Sequence, residues 1–153
     1  MNAALPDIWK ALLELDMTIK NPAFTETDVR SQLRIDPENA LANYLMGSML
    51  LARGKVKEAE VFARRALELE PGLVQAQDTL ACVLLELGRF EKAAQIAGQA
   101  VDAHPDFPMY RVTLLRAQVK LGNRDGALQQ LKKLSESRIA LPDELQQEIK
   151  AMR

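Results

Sequence analysis

Apolar residues recur along this chain at spacings of three and four, in blocks closed by glycine or proline. Val56, Ala59, Ala63, Ala66, Leu67 and Leu69 form one such block, the pattern of a helix that buries one face. Residues 40–53 predict a helix before it, with Gly54 suited to a left-handed C-terminal cap. Pro71 ends the second helix, because proline donates no hydrogen bond and clashes with the preceding turn. The same reading predicts helices over 74–87 and 90–103 around Gly88, ended by Pro105, and over 107–121 and 124–134 around Gly122. Asn39 and Asp106 stand where an N-cap acceptor is expected.

These blocks share one period. Pro37, Pro71 and Pro105 are 34 residues apart, as are Gly54, Gly88 and Gly122, and Ala59, Ala93 and Ala127. Three residue types in one frame indicate an internal repeat. Gly47 or Ala81 on a first helix, facing Ala59 or Ala93 on a second, lets two antiparallel backbones approach closely. A lone hairpin leaves its other apolar face bare, so neighbours must stack to complete the core.

The pattern of small residue, glycine turn, spaced alanines and terminal proline resembles the tetratricopeptide repeat family. It is carried by Gly47, Gly54, Ala59, Ala63, Ala66 and Pro71, and again by Ala81, Gly88, Phe90, Ala93, Ala97, Ala100 and Pro105, and is clear over about residues 38–135. The resemblance implies an all-α, right-handed solenoid of helix hairpins. Three departures stand out: Asn43, Gln77 and Arg111 replace an early aromatic of the first helix; Leu50, Leu84 and Gln118 replace a tyrosine; Ala63 and Ala97 replace a second-helix aromatic. One domain over 1–153 is expected, with a degenerate repeat over 5–36, repeats over 40–73, 74–107 and 108–141, and a capping helix over 142–153. Trp9, Leu12 and Leu13 carry the degenerate repeat's first helix, Asn21-Pro22 ends it, and Thr25 or Thr27 caps a short second helix over 28–35. Leu145, Ile149 and Met152 give the last helix an apolar side that would cover the final hairpin and mark a natural C-terminus.

In the family, first helices line a concave groove that takes a peptide or a partner's helix. By register its positions here are Leu41, Tyr44, Leu45, Ser48 and Leu51, then Gln75, Asp78, Thr79, Cys82 and Glu86, then Met109, Val112, Thr113, Arg116 and Lys120. Apolar anchors are expected near Tyr44, and an acidic ligand group near Arg116 and Lys120. The competing reading is that the Trp9 hairpin covers the apolar part and the charges are merely solvated. A family subtype clamps a C-terminal carboxylate with Lys and Asn, but Tyr44, Ser48, Gln75, Thr79 and Thr113 occupy those positions, which argues against that ligand.

Composition adds exclusions. Leu (24) and Ala (21) dominate the 153 residues and favour helix. With 20 basic against 21 acidic side chains, no nucleic-acid partner is expected. No apolar run approaches the roughly 20 residues that span a bilayer, and the N-terminus lacks a secretion signal, so no membrane insertion and a cytoplasmic location are expected, unless the chain is part of a longer one. One cysteine and one histidine give no disulfide framework and no zinc spacing. Cys82 reads as a packing residue, His104 as a helix-end residue, Arg64-Arg65 and Lys132-Lys133 as solvated faces, and Trp9 and Phe90 as core. No acid-base pair or glycine-rich phosphate loop is present, so no enzyme, cofactor or metal is expected. The expected role is a protein-interaction scaffold; the alternatives are a small secretion or assembly chaperone, or the helical region of a larger protein, and self-association is possible through an uncovered hairpin face.

Overall fold

A computed structural model describes residues 25–152. Trp9, Leu12, Leu13 and Asn21-Pro22 lie outside the described residues, so only the second helix of the expected N-terminal repeat is seen. Among the described residues every regular element is an α-helix: α1 (Glu26–Ile35), α2 (Ala40–Ala52), α3 (Val56–Leu69), α4 (Val74–Glu86), α5 (Phe90–Ala103), α6 (Pro108–Lys120), α7 (Arg124–Ser135) and α8 (Asp143–Ala151). The hairpins α2–α3, α4–α5 and α6–α7 stack into an α-solenoid in which each second helix also packs on the next first helix. The first helices pack directly on one another, α2 on α4 and α4 on α6, and α8 continues that row against α6.

The glycine turns repeat one geometry. Gly54, Gly88 and Gly122 have φ of 74°, 71° and 69°, a left-handed conformation that other residues adopt only at a cost. Each turn closes with the same two bonds: Gly54 N to Leu51 O with Lys55 N to Leu50 O, Gly88 N to Leu85 O with Arg89 N to Leu84 O, and Gly122 N to Val119 O with Asn123 N to Gln118 O. These bonds satisfy carbonyls that the helix end leaves unpaired.

Small residues set the hairpin spacing. Ala59, Ala63, Ala66, Ala93, Ala97 and Ala100 are wholly buried. A Cβ on Gly47 would lie 3.1 Å from Ala63 N and 3.3 Å from Ala59 O, so α2 and α3 meet backbone to backbone there.

The capping expectation holds for Asn39, whose Oδ1 accepts from Ala42 N at 2.8 Å, and Thr25 forms a reciprocal box with Asp28. It fails for Asp106. Phe107 occupies the cap position of α6 without a side-chain bond, and Pro108 opens the helix. Proline is favoured at the first helical position because its fixed φ suits a helix start, and with Pro108 there Asp106 stands one residue outside the cap.

The three polar residues that replace the early aromatic have a shared role. Asn43 Nδ2 donates to Pro37 O at 3.0 Å, Gln77 Nε2 to Pro71 O at 3.1 Å, and Arg111 Nη2 to Pro105 O at 3.0 Å, each across six residues. Each fastens a first helix to the proline turn before it. Asn43 is buried and also donates to Asn39 O at 2.8 Å. Asn43→Leu is therefore expected to cost about 1–2 kcal/mol, read as a lower urea midpoint with an unchanged slope.

At the far end, Leu145 of α8 packs with Val112, Leu115, Val119, Ala127 and Leu134, with Ile149 and Met152 beside them. The last helix thus covers the α6–α7 hairpin as the apolar pattern predicts.

Candidate functional site

The direct packing of α2, α4 and α6 sets side by side the helices that carry the register positions. It does not expose them equally. Tyr44, Leu45, Thr79, Val112 and Thr113 are buried, so they build the floor between helices and offer little surface. Leu41, Ser48, Leu51, Gln75, Asp78, Cys82 and Arg116 are half-buried, and Glu86, Met109 and Lys120 are exposed. Leu41 and Leu51 keep the α2 end apolar, packed against the cluster around Met46 and Leu50.

The cations of this face carry internal partners. Arg116 Nη2 lies 3.4 Å from Glu86 Oε1, and Lys120 pairs with Glu148 of α8. Both are cross-helix pairs between first-row helices, exposed enough to contribute at most about 1 kcal/mol each. An acidic ligand group must compete with those carboxylates.

Asp78, the fifth residue of α4, has the opposite problem. Its Oδ1 is buried and accepts no hydrogen bond. Burial pushes its carboxyl up to about 6, while a hydrogen bond from Thr113 and the charge of Arg116 pull the other way without offsetting it. Burial, together with the Asp78 charge, also raises Cys82 to about 11 and Tyr110 to about 12. Cys82 Sγ sits 3.8 Å from Thr113 Oγ1, so it remains a thiol in a helix interface, as a packing residue should.

Outside this face the remaining candidates are structural. His104 closes α5 through its backbone N–H to Ala100 O, and its ring lies 6.3 Å from that of Tyr110. Arg64 and Arg65 are paired as well as solvated, Arg64 with Glu60 and Arg65 with Glu38 and Glu68. Glu60 also takes Arg89 of the next repeat at 2.8 Å. The Arg64 hydrogen bond, with the charges of Arg89 and Arg64, holds its carboxyl below the usual range. No group of three or more His, Cys, Asp or Glu among the described residues is arranged to hold a metal ion, and no described helix is long and apolar enough to cross a membrane. Sequence reasoning placed Asp78 on the inner face but missed its buried, unpartnered oxygen. The only available signal was a lone acid between polar and small residues, with its potential partner on another repeat.

The stacked hairpins with glycine turns and a shared inner row define a helical-repeat protein. Two models described as tetratricopeptide repeat match residues 26–73 and 84–138, and the chain belongs to that family. Such repeats support a protein-interaction scaffold with protein or peptide partners. No curated protein matches the chain in sequence. Among solved structures it is similar to YrrB, described as a TPR protein with an unusual peptide-binding site, with a TM-score of 0.64 at 20% identity over 86% of this chain and 64% of YrrB. It is also similar to MamA from Desulfovibrio magneticus RS-1, with a TM-score of 0.72 at 16% identity over 95% of this chain and 82% of that one. An O-GlcNAc transferase mutant from Thermobaculum terrenum gives 0.63 at 24% identity, over 84% of this chain but only 27% of the transferase. The chain thus spans less than two thirds of YrrB and about a quarter of the transferase, and likenesses at these identities speak to the fold alone.

Proposed function

We propose that this chain is a non-enzymatic adaptor that holds a peptide, or a helix of a partner protein, along the inner face of α2, α4 and α6. The observation that carries the reading is the direct packing of the three first helices, which aligns half-buried apolar and polar side chains in one row. Apolar burial at Leu41 and Leu51 would supply affinity, and the polar positions from Gln75 to Arg116 would set orientation. The peptide-binding site named for YrrB is compatible with this use of the fold.

Capture from the native cell tests it. Leu41→Glu introduces a charge on the half-buried apolar end and is expected to lower recovery of the specific partner at least about ten-fold, with folding of the variant checked by circular dichroism. Equal recovery would move the binding surface elsewhere. Recovery of a single client that aggregates without this chain would identify the adaptor as a small assembly chaperone.

A further inference from the structure

We propose that Asp78 is the specificity anchor of the groove and receives a lysine or arginine side chain of the bound peptide. The inference rests on the groove reading above. It deepens that reading by giving the partner a charge.

The charge pattern of the inner face supports it. Of its four charged positions, Arg116 is held by Glu86 on the facing helix and Lys120 by Glu148 of α8. Asp78 remains as the acid whose Oδ1 accepts no hydrogen bond. An ionised carboxylate has acceptor sites on both oxygens, and leaving one oxygen unmet in a partly desolvated position is unfavourable. A guanidinium or ammonium from outside would complete the set with charge-assisted hydrogen bonds. A neutral amide or hydroxyl would supply the bond without the charge, and a carboxylate would be repelled, so the position discriminates between partners.

The location fits such an anchor. Asp78 stands on the middle helix of the inner row, between the apolar Leu41 side of α2 and Met109 on α6. The residue is only half-buried, so an incoming donor can approach the carboxylate from the side that is not covered.

A phage-displayed random peptide library, panned on the full chain and on Asp78→Asn, tests the proposal, with folding of both checked by circular dichroism. The wild type is expected to select peptides that share a Lys or Arg beside apolar residues. Replacing that basic residue by norleucine in a synthetic selected peptide should weaken binding roughly ten- to hundred-fold. Asp78→Asn should weaken the parent peptide similarly, and the two changes combined should cost little more than either alone. Peptides without a shared basic residue, or equal affinity for Asp78→Asn, would overturn the inference. If such peptides still lose binding on Leu41→Glu, the groove stands and only the Asp78 anchor falls. If no peptide binds in a manner sensitive to Leu41→Glu, both fall.

Discussion

Gly47→Leu is expected to destabilise the chain by about 3 kcal/mol, a fall of roughly 6–12 °C in thermal midpoint for a chain of this size. The atoms it would meet are backbone, Ala63 N and Ala59 O, which no side-chain rotation moves aside. Gly47→Ala is the informative control. Its Cβ needs the α3 backbone to give by a few tenths of an ångström, and the better helix propensity of alanine, about 1 kcal/mol, offsets that crowding. Alanine should therefore be nearly neutral while leucine is not. Because each hairpin touches only its neighbours, the loss should be local first. Amide exchange is expected to speed up in α2 and α3 under conditions where α7 and α8 keep their protection. A uniform acceleration over all helices would show instead that the solenoid opens as one unit.

The second large effect has the opposite sign. The folded chain raises the Asp78 carboxyl from 3.8 to about 6, so the folded state favours the protonated acid. This group is at its least costly below pH 4, and stability is lost as the pH rises through 6 and the buried carboxylate ionises. Asp78→Asn removes the charge and keeps the shape. It should stabilise the chain at pH 7.5 by up to about 3 kcal/mol and leave it nearly unchanged at pH 4. Arg116 and Thr113 on α6, and Glu86 on α4, face the same region, and the substitution leaves them in place. Urea midpoints at the two pH values read the difference. An equal gain at both would assign the effect to packing, and no gain at pH 7.5 would mean that the ionised carboxylate is well solvated. A residue that costs stability in the free chain and serves a partner is the expected pattern at a binding position.

Much of this molecule was legible in residue spacing. Local rules sufficed for Gly54, Gly88 and Gly122, since one residue type meets a backbone demand within a few residues of sequence. The period then implied hairpins, and Gly47 or Ala81 facing Ala59 or Ala93 implied close helices. Where the reading failed, a local competitor decided: Pro108 opens α6 and leaves Asp106 outside the cap. The departures at Asn43, Gln77 and Arg111 were visible but unexplained, although three donors six residues after three prolines were a sufficient clue.

The candidate site was legible only in outline. Register assigned Leu41, Asp78, Arg116 and Lys120 to one face, because helical phase is a property of the sequence. Whether each side chain is offered to a partner depends on residues about one repeat away. Arg116 meets Glu86 across 30 positions and Lys120 meets Glu148 across 28, while Tyr44 and Thr113 vanish into the contacts between first helices. The sequence by itself determined the repeat and the helices, since these follow from steric and hydrophobic periodicity within a single hairpin. Only the tertiary structure decided which charges are already neutralised and that Asp78 is left with an unmet oxygen, because burial and pairing arise where one repeat is pressed against the next.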